Sequence, residues 1–357
     1  MNKKITIISI FVVILGIIAI VIPKIINQTY AVSTTLADKV ISLESSSACN
    51  AGGTGVCKTN SYTDTDSTTK YHDYRYRGAV PSNYVLFNNE LYRIIGVFDS
   101  NSHGKVGEYL VKLIRSRVLY SGSWGVYNTT NSSGTYSSFG NDWTGNTTGV
   151  KASANVILNE YFYNKTNTSS TYGACSNWTY YSSNNSFKTF SCSDIVGYGI
   201  NDTYRNYIEE VTWYLKGYYS ASYSKQNFYL CERGQSTDTT NCKSANGGAY
   251  DSSTVANIGL MYASDYLYAS SYFTDTATTI ASSHYYGNKN WLYKGYEWTI
   301  MPLQNFSNST FCVDILGYVR GYDTSYGYAI RPTFYLKSNV LVTGGTGTFD
   351  DPYTISM

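Results

Sequence analysis

The chain has 357 residues, only 14% of them charged, with a net charge of +2. About a quarter charged is usual, so hydroxyl and amide groups carry its solubility, and the absence of a basic stripe excludes nucleic acid as a partner. Only three histidines are present, and no Cys-x-x-Cys, His-Glu-x-x-His, Gly-x-Ser-x-Gly or phosphate-cradling glycine motif occurs. That removes the common redox, zinc, serine-hydrolase and nucleotide chemistries.

The chain opens on Met1, Asn2, Lys3 and Lys4, then an unbroken apolar run from Ile5 to Ile22, then Pro23 and Lys24. As a helix this run is ~27 Å long against a bilayer core of ~30 Å, and Ile25 and Ile26 extend it. The leading lysines put the N-terminus in the cytoplasm and the body outside. A cleaved signal peptide is the rival reading, since Thr29-Tyr30-Ala31 ends in a small residue. Residues 1–31 are thus a signal anchor or signal peptide. Either one makes the body extracellular or cell-surface, membrane-attached if uncleaved and secreted if cleaved.

Residues 32–72, rich in Ser, Thr and Gly without periodicity, are expected to form a flexible stalk. Residues 73–357 are expected to form one extracellular α+β domain, a β-rich body with a few amphipathic helices and long loops. Asn83 to Phe87 and Leu91 to Phe98 predict a hairpin around Asn88-Asn89, and Tyr109 to Arg115 a third strand. Residues 119–150 read as a long exposed or ligand-facing loop containing Trp124 and Trp143. Lys151 to Tyr163 predicts a helix, and Tyr204, Ile208, Val211 and Leu215 predict a second. Phe228 to Leu230, Ile258 to Tyr262, Trp298 to Pro302 and Ile330 to Leu336 are strand candidates. The chain ends in a hairpin from Val340 to Thr343 and Pro352 to Ser356. No fixed-period repeat is present, which argues against a solenoid.

Seven cysteines suit an exported chain, where thiols stay oxidised. Their spacing suggests local bridges Cys49 with Cys57, Cys175 with Cys192 and Cys231 with Cys242, leaving Cys312 free. Sequence alone fixes no connectivity.

Several motifs occur in order: Tyr74-Arg75-Tyr76-Arg77-Gly78, Phe87-Asn88-Asn89-Glu90-Leu91-Tyr92-Arg93-Ile94-Ile95-Gly96, Glu232-Arg233-Gly234 and Ile258-Gly259-Leu260-Met261-Tyr262 with Ser264-Asp265-Tyr266. They continue with Asn290-Trp291-Leu292-Tyr293, Glu297-Trp298-Thr299-Ile300, Ile330-Arg331-Pro332-Thr333-Phe334-Tyr335-Leu336 and the closing Gly344-Gly345-Thr346-Gly347 to Asp351-Pro352-Tyr353. Together, over residues 74–357, they resemble an uncharacterised Tyr-rich domain family of exported surface proteins in Gram-positive bacteria. Relatives often carry a pilin-type methylation signal, which this chain lacks before its apolar run. The Trp-rich strand followed by Arg-Pro and an aliphatic strand also resembles C-type-lectin-like domains. That resemblance implies a compact α+β core presenting ligand-binding loops.

Tyrosine is the outstanding residue type, 39 of 357. Its ring supplies rigid contact area and its hydroxyl orients a ligand, which suits glycan or protein recognition. Tyr322, Asp323, Tyr326 and Tyr328, with Asp314, lie among glycines and form the candidate ligand-binding tip. The functional expectation is a non-catalytic surface binding or adhesion module for a glycan or surface protein, with no cofactor and no resident metal. A structural or pilus-associated scaffold is the second reading. The third is a sortase-like transpeptidase built from His284, Cys312 and Arg331, in which the thiolate attacks, the imidazole handles the proton and the guanidinium steadies the oxyanion. Asp64 with Asp66 and Asp350 with Asp351 offer calcium-type oxygens but read better as turns.

Overall fold

In this computed structural model the described residues are 33–59, 62–63, 70–125, 141–149, 151–165, 178–181, 187–190, 192–220, 224–272 and 288–357. The apolar run Ile5 to Ile22, Asp64, Asp66, Cys175 and His284 lie outside them. Among the described residues no helix is long and apolar enough to cross a membrane.

Helix α1 (Leu36–Ile41) begins where the Thr35 hydroxyl accepts from the Asp38 N–H at 3.0 Å, an N-cap. It buries Leu36 and Val40 completely, each contributing about 1.5–3 kcal/mol. The Leu36 N–H donates to the Val340 carbonyl at 2.8 Å. Strand β1 (Gly55–Lys58) pairs antiparallel with β2 (Tyr74–Arg77), and a Cys49–Cys57 disulfide closes the preceding loop. Residues 35–59 therefore belong to the body, which corrects the expected stalk. A segment that buries Leu36, Val40, Ala48 and Val56 is core and not spacer.

Strands β3 (Tyr84–Phe87) and β4 (Glu90–Phe98) form the predicted hairpin, with Asn88 and Asn89 at φ 53° and 61°. Asparagine tolerates this left-handed backbone, which a type I′ turn demands at both positions. Strand β5 (Leu110–Arg115) follows, buried along its whole length, and then β6 (Tyr120–Gly122). The predicted helix is present as α2 (Ser153–Val156), continuing as a π-helical segment over Ile157–Tyr163. Beyond it come β7 (Ile208–Glu209), β8 (Val211–Tyr214), α3 (Lys225–Cys231), β9 (Ser253–Ala256) and α4 (Ala263–Ala269). The last third holds β10 (Glu297–Pro302), β11 (Ser309–Val313), β12 (Val319–Asp323), β13 (Tyr328–Ile330) and β14 (Thr333–Leu336). The predicted hairpin of β15 (Leu341–Gly344) and β16 (Thr354–Ser356) closes the chain.

Two sheets organise this strand-rich α/β body. The larger runs β1-β2-β4-β5-β14-β7 with β3 also on β4, antiparallel throughout. The smaller runs β12-β11-β10-β13-β6, with β10 and β13 parallel. The expected single strand from Ile330 to Leu336 is two strands, because Arg331-Pro332 interrupts the ladder where the chain leaves one sheet for the other. Proline cannot donate to a ladder. The chain makes a second crossing beside it, between β5 and β6. There Arg115 N–H donates to Pro332 O at 3.0 Å and Leu119 N–H to Ile330 O at 2.9 Å.

Four other expectations are corrected. The helix predicted across Tyr204 to Leu215 is a single turn, Asp202–Arg205, followed by β7 and β8. In β8, Val211 and Trp213 are buried while Thr212 and Tyr214 are partly exposed, a period of two that the spacing of Val211 and Leu215 concealed. Phe228 to Leu230 lies in α3 and not in a strand. A Ser224/Asn227 capping box starts that helix, with Asn227 N–H to Ser224 Oγ at 3.1 Å. Ile258 to Tyr262 is extended but joins the large sheet only through the Gly259 bridge to Thr333. The Trp213 ring occupies the space where a side chain on residue 259 would project, its nearest carbon 2.6 Å from that position. Finally, Trp124 and Trp143, expected in an exposed or ligand-facing loop, are buried, their rings 5.1 Å apart.

Candidate functional site

The β12–β13 connection carries three of the five predicted binding residues into one cluster. Tyr328 stacks on Tyr326 on one side (5.5 Å between ring centres, 7° between planes) and on Tyr296 on the other (4.5 Å, 12°). Tyr322 stands edge-on to all three rings, at 5.6 to 6.1 Å. Trp298 lies beneath Tyr328 at 4.8 Å and is fully buried, with its indole N–H donating to Gly122 O at 3.0 Å. The result is a row of three parallel rings fixed on a buried tryptophan. Tyr326 is 52% exposed, and Tyr296, Tyr322 and Tyr328 are half-buried. Burial raises the hydroxyl pKa of Tyr322 and Tyr328, so these phenols stay protonated at neutral pH and keep a proton to donate.

Asp323 shapes the tip. One carboxylate oxygen accepts from Ser325 N–H at 2.9 Å and the other from the Asn308 amide at 2.6 Å. Asp314 sits at the opposite end of the β11–β12 ribbon, in the turn between the strands. It is buried, accepts from the N–H groups of Leu316 (2.8 Å) and Tyr318 (2.9 Å), and lies 3.4 Å from Arg320. Its bonds hold a turn, and the structure does not bring it to the tyrosine row. Arg320 covers the Tyr318 ring at 4.7 Å and is the exposed cation on this ribbon. Sequence reasoning missed Tyr296. It lies 26 residues before Tyr322, and only the parallel pairing of β10 with β13, which sets Glu297 opposite Ala329, brings it to the row.

A second constellation lies in the interior, where Arg75, Glu232, Arg233, Ser264 and Asp265 of the quoted motifs meet Asp73, Asp99 and Lys112. Arg75 pairs with Asp73 (3.1 Å) and Asp265 (3.0 Å), and Lys112 pairs with the other Asp265 oxygen at 2.6 Å. Arg233 lies 3.6 Å from Asp73 and 3.5 Å from Glu232. Glu232 also accepts from Ser264, through the backbone N–H at 2.9 Å and the hydroxyl. Aromatic rings close the cations in: Phe98 at 4.5 Å from the Arg75 guanidinium, Tyr262 at 4.4 Å from the Lys112 ammonium and Tyr229 at 3.5 Å from the Arg233 guanidinium. Burial lifts the Glu232 carboxyl to about 7. Asp99, against Asp73, is lifted to about 7 as well, by burial first and that neighbour second. Burial lowers Lys112 to about 8. For Asp265 burial acts upward, but Lys112 and Arg75 outweigh it and hold its carboxyl below the usual range. These side chains are closed to solvent, none above 4% exposed. The network therefore ties α4, β2 and β5 together and presents nothing to a substrate.

The two described members of the expected transpeptidase trio are also interior. Arg331 binds Glu297 through paired contacts of 2.6 and 2.7 Å. Cys312 is a free, buried thiol, and burial pushes its pKa well above the ordinary value, the reverse of an activated nucleophile. His284 lies outside the described residues. The Cys49–Cys57 and Cys231–Cys242 pairs form disulfides. The expected partnership of Cys175 with Cys192 lies outside the described residues. Among the described residues no group of three or more His, Cys, Asp or Glu is arranged to hold a metal. No protein-family model, curated protein or solved structure matches the chain.

Proposed function

We propose that this chain is an exported surface protein whose body binds a glycan, or the exposed face of another surface protein, through the row Tyr296, Tyr328 and Tyr326 with Tyr322 and Asp323. The supporting observation is the row itself. The outer faces of Tyr326 and Tyr296, at the two ends of a stack held on a buried base, are flat apolar surfaces for a sugar or an aromatic anchor, with the phenol hydroxyls along the ring edges to fix orientation. Export is supported by the apolar run at residues 5–22, read as an anchor or a cleaved signal, and by two disulfides, which persist in oxidising surroundings. The reading rests on this site and not on a lectin-like layout, because fold alone does not imply function.

The test is a glycan array and a surface-protein panel probed with the full chain, wild type against Tyr326→Ala and Tyr322→Ala. Binding should fall at least about tenfold, since an aromatic anchor contributes more than 1 kcal/mol when it carries an interface. No binding to either panel, or equal binding by both variants, would sink this reading and favour a structural role.

A further inference from the structure

Strand β12 ends the smaller sheet, and among the described residues no strand pairs with its outer side. The Thr324 N–H donates to Asn308 O and the Asp314 N–H to Tyr318 O, both at 2.8 Å, so the even-numbered residues bond across to β11. The N–H and C=O groups of Val319, Gly321 and Asp323 therefore point outward, and of these the Asp323 carbonyl accepts locally, from Tyr326 N–H at 3.2 Å. Arg320 and Gly321 are exposed. Exposed apolar side chains bracket the strand: Ile315 (52%) and Leu316 (44%) in the turn before it, Tyr326 (52%) in the turn after. A bare edge of this kind is a template for a further strand.

We infer that β12 is the joint of a homodimer, pairing antiparallel with β12 of a second copy about a two-fold axis at Gly321. In that register the strand is its own complement. Gly321 meets Gly321 and Val319 meets Asp323, each pair exchanging the backbone bonds that these residues direct outward. Arg320 falls opposite Tyr322 of the other copy, in the closer kind of pair that shares no backbone bond, and its guanidinium covers that ring. A charge on an edge strand ordinarily repels a copy. Parallel pairing would set Arg320 against Arg320, whereas the antiparallel register about Gly321 sets it against an aromatic face. Arg320 is 49% exposed with its Nε 3.4 Å from Asp314, which leaves the outer nitrogens for that contact. Leu316 and Tyr326 lie equally far from Gly321 along the chain, so the same symmetry brings Leu316 of each copy beside Tyr326 of the other. The axis stands perpendicular to the joined sheet and puts both tyrosine rows on one face. Tyr296, ahead of β10 and two strands in from the edge, stays clear of the joint. Two rows on one face give avidity for a repeated ligand, a consequence that rests on the ligand reading above; the pairing itself does not.

The test is sedimentation equilibrium of the full chain in detergent micelles, without ligand, over a range of concentrations. The wild type should approach twice the mass of one chain. Arg320→Glu should raise the dissociation constant at least about tenfold, since the contact between cation and ring is lost at both symmetric positions. Leu316→Lys, in an exposed turn outside the strand, should weaken the pair as well and serves if Arg320→Glu disturbs β12. The double variant Arg320→Cys/Tyr322→Cys should form a covalent dimer on oxidation, seen by non-reducing electrophoresis, because those positions face each other across the joint. A monomer at every concentration would overturn the proposal. A dimer that the paired cysteines do not trap, held instead through the apolar run at residues 5–22 or another face, would overturn it equally.

Discussion

Replacing Asp265 with asparagine keeps the size and shape of the side chain but removes the one negative charge shared by Lys112 at 2.6 Å and Arg75 at 3.0 Å. Arg75 retains Asp73 at 3.1 Å, so the stranded cation is Lys112, fully buried among Tyr262, Trp213, Tyr335 and Phe98. Breaking a buried ion pair by removing one partner costs about 3–5 kcal/mol, and that is the loss expected for Asp265→Asn at neutral pH. Asp265→Ala also loses the bond from Tyr262 N–H at 2.9 Å that caps α4, a further ~1 kcal/mol. Lys112 already titrates at about 8, and without its partner it sheds its proton at still lower pH. The penalty of Asp265→Asn should therefore shrink as pH rises from neutrality toward 8. Equilibrium urea unfolding followed by tryptophan fluorescence, disulfides intact, measures this. The double variant Asp265→Asn/Lys112→Met should be more stable than Asp265→Asn alone, because the uncompensated charge is gone. A cost under about 1 kcal/mol for Asp265→Asn, additive with Lys112→Met, would refute the view that this network carries stability.

The same network sets a pH dependence. Folding raises the Glu232 and Asp99 carboxyls to about 7, so the folded state holds protons that the unfolded chain has released, and their contribution is lost as pH rises through 7. His103, lowered to about 4 mainly by burial, acts in the opposite sense below its unfolded value. Glu232 and Asp99 against His103 contribute a slope of one proton between about pH 5 and 6.5, ~1.4 kcal/mol per pH unit, with stability falling as pH rises, and Glu297, whose carboxyl is also raised by burial, adds in the same sense. Glu232→Gln should flatten that slope in unfolding curves taken across the range; an unchanged slope would exclude Glu232 as its source. Reducing the bridges at separations of 8 and 11 residues should cost about 3 kcal/mol each. Melting curves of Cys49→Ser and Cys231→Ser check this, and values near wild type would show that the unfolded state gains little freedom from opening those loops.

Local chemistry was legible wherever a short stretch decides its own conformation. The Asn88-Asn89 turn with the strands on either side of it and the C-terminal hairpin follow from neighbours in the chain, and close spacing suggested the Cys49–Cys57 and Cys231–Cys242 bridges that the structure then shows. The misread elements are those in which periodicity was ambiguous or a distant partner cast the vote. Val211 and Leu215 satisfy a helical spacing, yet β8 alternates because β9 offers a ladder. Phe228 and Leu230 look like a strand until Ser224 and Asn227 cap a helix. Residues 35–59 have a stalk's composition but fold inward because Leu36, Val40 and Val56 find the core.

By itself the sequence determined an apolar leading segment, a strand-rich body poor in charge and a tyrosine-bearing tip at residues 322–328, and it suggested the local disulfides without fixing them. Tertiary structure alone decided which tyrosines meet and which charges are buried. Tyr296 joins the tip through a parallel strand pairing, and Arg75, Lys112, Glu232, Arg233 and Asp265, scattered over some 190 positions, converge because α4 and the end of α3 pack against the larger sheet. Ring stacking and ion pairing act over a few ångströms of space, whereas residue order records only separation along the chain.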